Sequence, residues 1–159
     1  MNSPDQTQNS PAESASPNPK LKPDEVIGLQ LEALQKNDIP APNSGIRTAF
    51  RFASPENRAA TGPIERFIQL VKNPLYRPLL NHKSVKRAPI VVEDDVAQQR
   101  VTVTSADGEQ IDYKFTMSKQ NGGEYKDCWM TDGVERVSDE ERQKELQRIA
   151  SNNGHTAHQ

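Results

Sequence analysis

Residues 101–119 read Val-Thr-Val-Thr-Ser-Ala-Asp-Gly-Glu-Gln-Ile-Asp-Tyr-Lys-Phe-Thr-Met-Ser-Lys. After Gln120-Asn121-Gly122-Gly123 the chain continues Glu124-Tyr125-Lys126-Asp127-Cys128-Trp129-Met130-Thr131-Asp132-Gly133-Val134. Ile111, Tyr113, Phe115 and Met117 alternate with Asp112, Lys114, Thr116 and Ser118, the two-residue period of a strand with one buried face. Asp107-Gly108 and Asn121-Gly122-Gly123 tolerate positive φ where antiparallel strands reverse. The stretch reads as an antiparallel meander. It defines an architecture and carries no catalytic or metal-binding motif.

Working backwards, Val101 and Val103 mark the strand before Ile111–Met117, and Ala88, Ile90 and Val92 mark another that ends at Glu93-Asp94-Asp95. Upstream of His82 the period changes to that of helices. Pro23 opens the first, with Asp24 and Glu25 at its positive dipole end and Ile27, Leu31 and Leu34 along one stripe. Asn43 or Ser44 is positioned to cap a second, which buries Ile46, Ala49, Phe50 and Ala53. The residue before a proline avoids the helical region, so Ser54 reads as the cap of a third helix that starts at Pro55. Ile64, Phe67, Ile68 and Val71 repeat the helical spacing in a fourth. Residues 72–80 form a proline-stiffened connector that folds back over the edge of the core.

The expected fold class is therefore α+β, with N-terminal helices packed on a curved four-stranded antiparallel meander, since only one face of each strand is apolar. Residues 1–22 are Ser, Pro, Asn and Gln with little to bury and read as a disordered tail. Residues 23–137 form one α+β domain. Residues 138–159 carry a polar helix, opened by the capping box Ser138-Asp139-Glu140-Glu141, and a loose tail.

The 159 residues are 33% hydrophobic, and the 20 basic side chains nearly balance the 22 acidic ones. Neither half is basic, so the electrostatic footprint of a nucleic-acid binder is missing. No apolar run is long enough for a membrane span, no leader pattern is visible, and the single Cys128 sits in an apolar strand as a buried thiol. The expectation is a cytoplasmic protein that needs no cofactor.

Candidate chemistry is sparse. His82 reads as a surface residue at a strand end rather than a general base. Asp112 lies on the polar face of its strand, and Asp132-Gly133 reads as a turn. Arg47, Arg51 and Arg58, with Lys83, Lys86 and Arg87, read as solvated faces balanced by neighbouring acids. No catalytic residue and no metal ligand set emerges.

Leu29-Gln-Leu-Glu-Ala-Leu34, Ala49-Phe-Arg-Phe-Ala-Ser-Pro55, Gly62-Pro-Ile-Glu-Arg-Phe-Ile68 and Trp129-Met-Thr-Asp-Gly-Val134 resemble an uncharacterised bacterial and plastid-lineage family of unknown function, over residues 24–137. Helices followed by a meander are also similar to the cystatin-like cone of nuclear-transport-factor-2-like and polyketide-cyclase-like proteins. That resemblance implies a sheet wrapped around the first helix and, in some members, an enclosed pocket. It carries no activity with it.

Two functions follow as expectations. The first is a non-enzymatic binding or assembly domain that docks a protein or a second copy through its sheet face. If Cys128 and Met130 face the helices, alternation sends Trp129 and Tyr125 to the outer face as anchors; the opposite phase makes Trp129 core. The second is a small-molecule pocket lined by Phe67, Tyr76, Tyr113 and Phe115. The cone resemblance would allow isomerase- or dehydratase-like chemistry there.

Overall fold

The computed structural model describes residues 15–138 and, of the following segment, residues 140, 141, 143, 144, 146–148, 150 and 151. The expected leader therefore falls outside the described residues over 1–14, and the loose tail does so over 152–159. Residues 15–22 lie along the body, with Ala15 and Leu21 packed against the core and Arg51 Nε donating to the Ala15 carbonyl at 3.2 Å.

Helix α1 (Pro23–Gln35) begins with Pro23 and two acids, and Glu25 Oε1 accepts from the Lys22 amide at 2.8 Å. It buries Val26, Ile27, Leu31 and Leu34, each contributing roughly 1.5–3 kcal/mol of hydrophobic stabilisation. Helix α2 (Ser44–Arg51) crosses its C-terminal end so closely that a Cβ on Gly45 would lie 2.0 Å from the Ala33 carbonyl oxygen. The orphan amides of the α2 first turn are met from outside the local sequence. Asn37, 1% exposed, accepts from Gly45 N through its carbonyl and from Ile46 N through Oδ1, both at 2.9 Å. Asn43 precedes the helix with φ of 66° and gives it no side-chain cap, so capping passes from the expected Asn43 or Ser44 to Asn37.

Helix α3 (Pro55–Thr61) has Ser54 as its cap, with Oγ accepting from Asn57 N at 3.2 Å. Gly62, at φ 82°, turns the chain into α4 (Ile64–Val71). A 3₁₀ turn (Arg77–Leu79) follows and buries Leu79.

The sheet comprises β1 (Ser84–Arg87), β2 (Val91–Glu93), β3 (Val96–Thr104), β4 (Gln110–Lys119) and β5 (Trp129–Arg136), all antiparallel. Both β1 and β2 pair with the same edge of β3, so the expected first strand is broken into two and begins earlier than its apolar residues suggest. Ala88, Pro89 and Ile90 stand opposite only Gln99 and Arg100. Pro89 has no amide to give the ladder, and the extra residue bulges outwards. Buried Gln99 closes the gap, donating from Nε2 to the Ala88 carbonyl at 2.8 Å. The fourth expected strand starts at Trp129, because Asp127 takes φ of 67° and leaves Tyr125 in the preceding turn.

One face of the sheet meets the helices. Ala97, Val101 and Val103 of β3 and Ile111, Tyr113, Phe115 and Met117 of β4 join Val26, Ile27, Leu31, Leu34, Ile46 and Phe52 in one core. Ser138 Oγ accepts from Glu141 N at 3.1 Å, and the described residues from 140 onwards are helical. No helix among the described residues is long and apolar enough to cross a membrane.

Candidate functional site

Several hydrogen bonds from the helices to the sheet converge on Thr131 of β5. Its amide donates to the Phe52 carbonyl, and its carbonyl accepts from Ser54 N, both at 2.8 Å, so residues 52–54 lie beside β5 as a short parallel bridge. Asn57 Nδ2 donates to the same carbonyl at 3.0 Å. The Thr131 hydroxyl donates to Gln30 Oε1 at 2.6 Å, while Gln30 Nε2 reaches the Ala49 carbonyl at 3.1 Å. Gln30, Ser54 and Thr131 are all buried, and an unpaired polar group in such a place costs about 1–3 kcal/mol. The phrase Phe52-Ala53-Ser54-Pro55 thus has a physical reason. It leaves α2, pairs with a strand and caps α3 within four residues.

A bulge beside this bridge re-aims β5. Met117 pairs with Thr131 but Thr116 with Gly133, so Asp132 is the extra residue. Alternation is reset across it, and Thr131 and Val134 both turn towards the helices, as bulges next to sites often arrange. Between them and the helices lies a cavity of about 180 Å³, partly open to solvent. Leu34, Ala49, Leu79 and Phe115 form its buried interior, and half-buried Asn57, Thr61, Phe67, Leu70 and Tyr76 stand nearer solvent. The roof is lightly anchored: α3 buries no residue and α4 only Val71.

Three of the four expected pocket residues, Phe67, Tyr76 and Phe115, line this cavity. Tyr113 does not. Its ring is wholly buried beside Tyr76, with centroids 6.3 Å apart, and its hydroxyl donates to the Leu75 carbonyl at 2.7 Å. Burial pushes its pKa up to about 12, against the lowering pull of Arg136. Tyr76 donates to the Val134 carbonyl at 2.9 Å; burial first, then the charge of Glu135, raises its pKa above 10. Sequence reasoning overlooked Gln30, Asn57, Thr61 and Thr131, since polar residues on helices and an outer strand carry no periodic mark.

The two expected anchors sit elsewhere. Trp129 shares the alternation of Thr131 and packs, half-buried, against the core. The phase is therefore the one that faces the tryptophan towards the helices, and the outward phase is corrected. Tyr125 holds Arg58. Arg58 Nη1 donates to its hydroxyl at 3.3 Å, and the guanidinium lies 5.3 Å from the ring centroids of both Tyr125 and Phe50. The same guanidinium donates to the carbonyls of Arg51 and Ala53, closing the end of α2. Arg58 is thus a cap and a cation–π partner.

His82 is also corrected, from a surface position to 3% exposure. Its Nδ1 lies 2.7 Å from the Leu79 carbonyl, and desolvation lowers its pKa below 6.5 despite that bond. It does not line the cavity. Cys128 is 4% exposed, and burial, then the Asp127 charge, raises its thiol pKa, leaving little thiolate to react. No three His, Cys, Asp or Glu side chains among the described residues gather as a metal ion would require.

Helix layer, open antiparallel sheet and interlayer cavity define an α+β domain whose concave space lies between its two layers. The chain belongs to the family described as Domain of unknown function (DUF4864), whose model matches residues 18–144. No curated protein and no solved structure matches it.

Proposed function

We propose that this domain binds a small, uncharged, largely apolar molecule in the cavity between α1–α4 and β4–β5. The observation that carries the reading is the wall itself. It holds Phe67, Tyr76 and Phe115 among aliphatic side chains and, among the described residues, no Asp, Glu, His, Lys, Arg or Cys. Interiors pack to the density of organic crystals. A benzene-sized ligand suits this space, since a dry 150 Å³ cavity takes benzene.

The reading is of binding rather than catalysis. Proton transfer needs a group that changes charge near neutrality, and among the described residues the only titratable side chain on the wall is Tyr76, displaced the wrong way. Isomerase- or dehydratase-like chemistry gains no acid or base from this wall. The resemblance to the cystatin-like cone supports the placement of a ligand on the helix side of the sheet.

Calorimetric titration with toluene tests the proposal. Toluene binds the native domain and raises its Tm, while Ala49→Leu, which adds bulk to the cavity wall, abolishes both effects. A folded native domain with no heat and no change in Tm would sink the reading.

Self-association through the sheet is the second reading, on different anchors. Val91, Val92 and Val96 are 58%, 48% and 47% exposed on the β2–β3 hairpin, and β2 is an edge strand with a free ladder side. A native solution mass of two chains, reduced to one by Val92→Lys, would support it; a monomeric native mass rejects it.

A further inference from the structure

The cavity's hydrogen-bonding capacity is lopsided, and the bias follows from atoms already spent. A carbonyl only accepts, so each hydroxyl facing one has given up its hydrogen. Tyr76 donates to the Val134 carbonyl and Thr61 Oγ1 to the Asn57 carbonyl at 2.9 Å. Gln30 Nε2 on the Ala49 carbonyl turns Oε1 towards Thr131, whose hydroxyl must then donate. Asn57 is oriented in the same way. The Thr131 carbonyl holds Nδ2, and Oδ1 of this half-buried wall residue accepts no hydrogen bond among the described residues.

What these groups have left is five acceptors, on Gln30, Asn57, Thr61, Tyr76 and Thr131. Against them stand only the second N–H of Gln30 and the second N–H of Asn57. Among the described residues no cation lines the wall to receive an anion.

We infer that the cavity selects a neutral hydrogen-bond donor on an apolar body, such as a phenol, an alcohol or an N–H heterocycle, and rejects carboxylates. This rests on the cavity being a ligand site. The donor end meets Asn57 Oδ1 and Thr61 Oγ1, and the apolar body lies against Phe67, Leu70 and Phe115. A carboxylate would give up water for a wall of acceptors that offers its charge no cation among the described residues.

Calorimetric titration of the full chain with phenol, anisole, toluene and benzoate separates the possibilities. Phenol binds about tenfold more tightly than anisole, the value of one hydrogen bond at ~1.4 kcal/mol, and benzoate does not bind at pH 7. Asn57→Leu erases the preference while toluene still binds, which also shows that the variant is folded. Equal affinity for phenol and anisole, or tighter binding of benzoate, overturns the donor selectivity and leaves the cavity as a ligand site. Failure of all four neutral and charged probes overturns both.

Discussion

Gly45 and Asn37 show how single residues fix the helix layer. A Cβ at position 45 would meet the Ala33 carbonyl at 2.0 Å, and backbone cannot step aside. Gly45→Ala is expected to destabilise the domain by about 3 kcal/mol, read as a fall in the urea midpoint at unchanged slope. His82 gives a pH dependence whose sign is fixed. Its folded pKa lies below the unfolded value of 6.5 because burial disfavours the charge. The unfolded chain therefore binds more protons as the pH falls through 6.5, so stability held above that pH is lost below it. His82→Gln should flatten this part of the profile in parallel urea titrations at pH 5 and pH 7.5; identical slopes with pH would refute the assignment. Ser54 was legible because capping is local chemistry beside a proline. Asn37 was not, since its partner lies nine residues on and only the helix crossing brings them together.

At the scale of elements, the stitch between residues 52–54 and β5 joins the helical half of the chain to its sheet. Thr131→Val keeps shape and removes the hydroxyl that Gln30 Oε1 accepts, so a loss of about 1–3 kcal/mol is expected. Chemical denaturation of Thr131→Val and Gln30→Leu, singly and together, checks it. The double variant should be more stable than the sum of the singles, because it leaves no orphaned partner. Alternation located β3 and β4 because each has one wet and one dry face. It placed the first strand too late, since Pro89 divides that edge and the outer-edge valines are exposed. It left the phase of β5 open, for a bulge resets the period at Asp132 and periodicity within eight residues cannot reveal it. The same bulge aims both Thr131 and Val134 at the cavity, so the feature that hid the strand's phase also shapes the site.

For the molecule as a whole, fold class was legible from two periods, helical before His82 and alternating after it. The site was legible in part. Aromatic residues stand out in a chain with eight of them, four Phe, three Tyr and one Trp, and three lie on the cavity wall. The cavity itself was not, because a void depends on what neighbouring elements fail to fill. Trp129 stood open between outer anchor and core, and Tyr125 beside it, for the same reason: core packing and the Arg58 clamp appear only once distant elements meet. Methyl-resolved NMR of the native domain titrated with toluene tests the central claim most directly. Leu34, Leu70, Val71 and Val134 should shift together and saturate at one affinity, while exposed Val91, Val92 and Leu146 stay still. Shifts confined to the exposed methyls, or none at all, would contradict a ligand site between the helices and the sheet.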